Sequence, residues 1–132
     1  MKRIISTTLM LIIVCAIPCH AASGRDGNYL LHACADKAES ATTAETKISI
    51  FGGNMWCIGF LEGVADMNTL YSQGMLGGKE GAFCLPEEDV PDDQLRRIVV
   101  KFLEDNPKTL HQSARILTSM AFHDAFPCKG TK

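Results

Sequence analysis

The sequence predicts an all-α protein, a compact array of about four helices stapled by two disulfides. Three observations lead there. Apolar residues recur at helical spacing in several segments, and the one strand-like run, residues 48–51, has no partner run. The chain opens on the pattern of a secretory signal. Four cysteines remain once that signal is removed.

The opening residues, Met1-Lys2-Arg3, are a short positive start. Residues 4–17 carry no charge, and small residues follow at Ala21 and Ala22. The apolar run of about 14 residues is short of the roughly 20 that span a bilayer, so no stable membrane anchor is expected. Cleavage after Ala21 puts Cys19 and Ala21 in the two small-residue subsites. A lipid-anchored cysteine is disfavoured, because Val14 precedes Cys15 and Pro18 precedes Cys19. The expected division is a cleaved signal peptide, 1–21, and one helical domain, 22–132, of ordinary domain size.

The 13 basic and 15 acidic residues fall to 11 and 15 when Lys2 and Arg3 leave, a formal charge of −4. That balance lacks the basic footprint of a nucleic-acid binder. Cys15 and Cys19 leave with the signal, and Cys34, Cys57, Cys84 and Cys128 stay. An even count in an exported domain reads as a disulfide framework. The gaps of 23, 27 and 44 residues do not suit zinc, whose cysteines come in close pairs.

Taken in order, residues 22–27 read as a flexible lead-in. Tyr29, Leu30, Leu31, Ala33 and Cys34 begin a first helix reaching to about Ser40. Residues 40–47 are small and polar and read as a connection. A second helix is expected over about 54–72, where Cys57, Phe60, Leu61, Val64 and Tyr71 keep helical spacing. Gly59 and Gly63 lie four apart in it. Glycine weakens a helix, so close approach of another helix is expected there. Residues 73–83 contain four glycines and read as a loop. Carboxylates at 87–93 favour the positive end of a third helix. Within it Leu95, Ile98, Val99, Phe102 and Leu103 trace the cleanest amphipathic face in the chain. Asn106-Pro107 stops that helix and starts a fourth, which carries Leu110, Ala114, Leu117, Ala121 and Ala125 inward and ends before Pro127.

Helices three and four have almost no linker, so they should fold back as a hairpin. The start of the third and the end of the fourth then share one end, which pairs Cys84 with Cys128. Cys34 is left facing Cys57. With both bridges formed, no free thiol remains for catalysis.

No catalytic, cofactor or metal site is expected. No serine sits in a Gly-x-Ser-x-Gly setting. His32, His111 and His123 lack a second ligand at metal-like helical spacing and suit surface or capping roles. His123-Asp124 near Cys128 is a thin echo of calcium-dependent phospholipases, without a cysteine ahead of the pair in the same helix. The glycine-rich loop lacks the Gly-Lys-Ser/Thr ending of a phosphate-binding loop. Its apolar Met75, Leu76 and Phe83 are either packed down or a partner-binding element.

Several motifs occur in a telling order: Gly27-Asn28-x-Leu30-Leu31-x-x-Cys34, Cys57-x-Gly59-Phe60-x-x-Gly63, Phe83-Cys84-x-Pro86, Gln94-Leu95, Pro107-x-x-Leu110-His111 and Phe126-Pro127-Cys128. Over about residues 26–128 the chain resembles the Rap/Tai family of type VI secretion immunity proteins. The resemblance implies a helical periplasmic protein, often a homodimer, that is no enzyme. It implies a protein partner, an amidase effector that cleaves peptidoglycan peptides and whose active-site cleft is blocked. Interface residues diverge with the partner, so none is carried over. Read from the residues, the 73–83 loop is the protrusion that would fill a cleft, with Met75, Leu76, Lys79, Glu80 and Phe83 at the interface. A periplasmic structural or chaperone-like helical module without activity is the alternative reading.

Overall fold

The computed structural model describes residues 24–35 and 42–129. The expected signal segment, 1–21, and residues 36–40 of the expected first helix lie outside the described residues. Among the described residues four α-helices carry the fold: α1 Gly27–Cys34, α2 Ala44–Ser72, α3 Asp92–Asp105 and α4 Ala114–Ala125, with a 3-10 turn at Pro107–Thr109. Among the described residues there is no strand, only an antiparallel bridge between Asp26 and Ser113. Cys34 is bonded to Cys57 and Cys84 to Cys128, as the hairpin topology predicts.

Helix α1 starts before Tyr29 because Asp26 caps it. The Asp26 carboxylate accepts the Tyr29 N–H at 2.9 Å, satisfying a donor that has no partner inside the helix. That bond, with the Asn28 side-chain amide, holds the Asp26 carboxyl below the usual range. The described end of the lead-in is held in place. The Arg25 guanidinium lies 4.6 Å from the Tyr29 ring centre and 4.8 Å from that of Trp56. The Ala114 N–H donates to the Arg25 carbonyl at 2.8 Å.

Helix α2 is ten residues longer at its start than its apolar pattern predicts. Residues 44–47, expected in a connection, and 48–51, the strand-like run, are helical. Thr43 supplies the start: its hydroxyl accepts the Thr46 N–H at 3.2 Å and meets the Thr46 hydroxyl at 2.8 Å. Only Cys57, Leu61 and Ala65 of this helix are fully buried. The expected close approach at Gly59 and Gly63 is absent among the described residues. A Cβ added at either would meet nothing within 4 Å.

Helix α3 buries Leu95, Val99 and Leu103 and half-buries Ile98 and Phe102, as its periodicity predicts. Arg96 ties it to α1, donating to the Cys34 carbonyl at 3.0 Å and pairing with Asp93 at 2.6 Å. A cation at the last carbonyls of a helix suits both the free acceptor and the dipole. The fourth helix begins at Ala114, later than expected, and Ala125 is exposed instead of inward. The chain over 110–114 is committed elsewhere. The Leu110 and Gln112 carbonyls accept from the Asn28 and Gly27 amides at 3.1 and 3.0 Å. Leu110 still packs against the core. That core gathers Leu30, Leu61, Phe83, Val99, Leu117 and Phe122 around the Cys34–Cys57 bridge.

Candidate functional site: the clamped loop after the second helix

The 73–83 loop leaves α2 through a tight turn. Gly74 and Gly77 have φ of 78° and 76°, a left-handed backbone that glycine adopts at little cost. The Gly77 N–H donates to the Gly74 carbonyl at 3.1 Å, closing the turn. At its tip Met75 is 69% exposed and Leu76 52% exposed. Lys79 and Glu80 are also exposed, and they edge an open concavity of about 1010 Å³ beside the Cys84–Cys128 bridge.

The far end of the loop is fixed. Asn68, on α2, accepts the Ala82 N–H at 2.7 Å and donates to the Phe83 carbonyl at 2.8 Å. His123 donates from Nδ1 to the Ala82 carbonyl at 2.8 Å. The Cys84 N–H donates to the Phe126 carbonyl at 2.9 Å, next to the second disulfide. Phe83 is 1% exposed, its ring edge-on to Phe122 at 5.1 Å.

Of the five residues expected at a partner surface, Phe83 is buried and does not lie on the surface. Met75, Leu76, Lys79 and Glu80 share the solvent side of the loop, whereas Phe83 turns into the core and anchors it. Burial of an aromatic ring outweighs any surface role, because exposing it would forfeit roughly 1.5–3 kcal/mol. Asn68 was not singled out by sequence. The available signal was a side-chain amide continuing the inward stripe of Cys57, Leu61 and Ala65, which must find backbone partners when half-buried.

The four cysteines of the domain are all in disulfides. Among the described residues, no three of His, Cys, Asp and Glu converge as a metal site. His32 and His111 lie exposed, and His123 is occupied with the loop carbonyl. What remains is a rigid helical scaffold that holds out an apolar tip flanked by a lysine and a glutamate.

Among the described residues the architecture is that of a small helical domain stapled by two disulfides. The family model for Rap1a immunity proteins matches residues 26–128, which takes in all four helices, both disulfides and the loop. The chain belongs to the Rap1a immunity protein family, and neutralising a toxin effector is the role that this family implies. No curated protein and no solved structure gave a significant match.

Proposed function

We propose that this protein is a periplasmic immunity protein that binds a type VI secretion peptidoglycan amidase and blocks its active-site cleft, protecting the cell that makes it. The observation that carries the reading is the loop: an exposed Met75-Leu76 tip on a base clamped by Asn68, Phe83 and the Cys84–Cys128 bridge. A preformed loop gives up little conformational freedom on binding, so more of its contact energy appears as affinity. Export fits the signal pattern at 1–21, and the disulfides suit an oxidising compartment. Lys79 and Glu80 supply one charge of each sign beside the apolar tip, a pattern that selects orientation more than it adds affinity.

The test is titration of an amidase effector encoded nearby with the oxidised mature protein, reading peptidoglycan cleavage. Stoichiometric inhibition with nanomolar affinity is expected. Undiminished cleavage in the presence of folded, oxidised protein would overturn the amidase reading.

A further inference from the structure

The two disulfides differ in what surrounds them. Cys34 and Cys57 are fully buried and share the core with Leu30, Leu61 and Val99. In the second bridge Cys84 is exposed and Cys128 half-buried. Both line the open concavity of about 1010 Å³, together with Lys79, Lys129, Glu87 and Glu88. This bridge joins two chain ends that lie outside the helices: the base of the 73–83 loop and the chain after α4. The contacts that seat the loop base in the core do not pass through it. Phe83 packs against Phe122, and Asn68 and His123 hold the loop backbone from α2 and α4.

We propose that Cys84–Cys128 is a thiol–disulfide exchange site, opened by an external dithiol while the helical core and Cys34–Cys57 stay intact. Exchange requires a thiolate to reach a disulfide sulfur, so access decides which bridge reacts. A dithiol entering the concavity meets Cys84 without any helix moving. Cys34 and Cys57 become reachable only when the core opens. In the first step one thiolate bonds to Cys84 Sγ, the disulfide breaks, and the electron pair leaves on Cys128 Sγ, which takes a proton from water. The second thiolate of the reductant then attacks its own sulfur in the mixed disulfide and displaces Cys84 as a thiolate, protonated in turn. The reductant ends as a disulfide, and the protein holds two new thiols. The two lysines of the concavity favour the departing thiolate and the two glutamates oppose it, so access and not charge selects the bridge. Opening leaves the loop base joined to the end of α4 by hydrogen bonds and packing alone, among them the 2.9 Å bond from the Cys84 N–H to the Phe126 carbonyl. The inference goes beyond the inhibitor reading and is tested with no effector present.

The experiment treats the oxidised mature protein with dithiothreitol under native conditions, alkylates samples with iodoacetamide over time, and maps the modified cysteines by mass spectrometry. Cys84 and Cys128 should become alkylated about 100-fold faster or more than Cys34 and Cys57, whose exposure requires core opening. The form with two thiols should keep its helical circular dichroism, and hydrogen exchange at the Cys84 amide should quicken in it. The double variant Cys84→Ser/Cys128→Ser should show that quickened exchange without reductant. If the serine variant fails to fold, the two-thiol form of the unaltered chain decides alone. Four cysteines that react together overturn the inference, as does loss of helical signal when the first pair opens. Unchanged exchange at the Cys84 amide in the two-thiol form overturns it as well.

Discussion

Replacing Phe83 by alanine separates the loop's anchor from its contact surface. The ring is 1% exposed and meets Phe122 edge-on at 5.1 Å with an interplanar angle of 66°. Truncation removes the buried ring and leaves a cavity, which for Phe→Ala costs about 3–5 kcal/mol. The lost aromatic pair, about 0.5–1.5 kcal/mol by itself, favours the upper part of that range. Against a typical net stability of about 5–15 kcal/mol this is a large fraction. At about 4–8 °C per kcal/mol in a domain near 100 residues, the melt should fall by roughly 15 °C or more. Urea unfolding followed by far-ultraviolet circular dichroism, with both disulfides oxidised, reads the change directly. Met75→Ala, at an exposed position, should stay within about 0.5 kcal/mol in the same assay. A Phe83→Ala loss below about 1 kcal/mol would refute the reasoning, because only a solvent-facing ring is removed so cheaply.

Two further predictions concern polar groups. Asn68→Ala should remove the acceptor of the Ala82 amide and the donor to the Phe83 carbonyl, lowering stability by about 0.5–1.5 kcal/mol, since water can reach the exposed amide. Hydrogen exchange at Ala82 should quicken, and an unchanged rate would mean that the clamp is held by other groups. Asp26 bears on acid stability. Its folded carboxyl is shifted down, chiefly by the Tyr29 N–H, so the ionised cap contributes fully above the unfolded carboxyl value of about 3.9 and is lost as pH falls through the folded value. The gap in melting temperature between the unaltered protein and Asp26→Ala should therefore hold from neutral pH to about pH 5 and close below it. Asp26→Asn should keep the cap without that acid dependence. A gap that persists undiminished to pH 2 would contradict the assignment.

The sequence showed most where an element packs against the rest of the chain. The third helix was legible because Leu95, Val99 and Leu103 all face the core, so burial wrote its period into the residues. The disulfide pairing followed from the short connection between the last two helices. The first turns of α2 were illegible for the opposite reason. Residues 44–49 touch little, so no apolar period marks them, and only the Thr43–Thr46 cap announces the start. The late start of α4 was hidden because its cause is distant in sequence, in the amides of Gly27 and Asn28.

The loop shows the same division at single-residue scale. Composition marked 73–83 as a glycine-rich loop with apolar residues in it. It gave no way to separate Phe83, which is buried, from Met75 and Leu76, which are not. That difference depends on Asn68 and His123, which reach the loop from other helices. Gly59 and Gly63 suggested a close neighbour on one helix face, and among the described residues none is there. Whether a helix packs on such a face is a tertiary fact that glycine spacing does not contain.

The measurement that bears most directly on the central claim combines binding and stability in one variant, Met75→Ala/Leu76→Ala/Lys79→Ala/Glu80→Ala. The account predicts that this variant loses amidase inhibition, with a dissociation constant raised by about 100-fold or more, while its melt stays close to that of the unaltered protein, since all four side chains are exposed. Full inhibition by the folded variant would contradict the claim and place the contact surface elsewhere on the molecule.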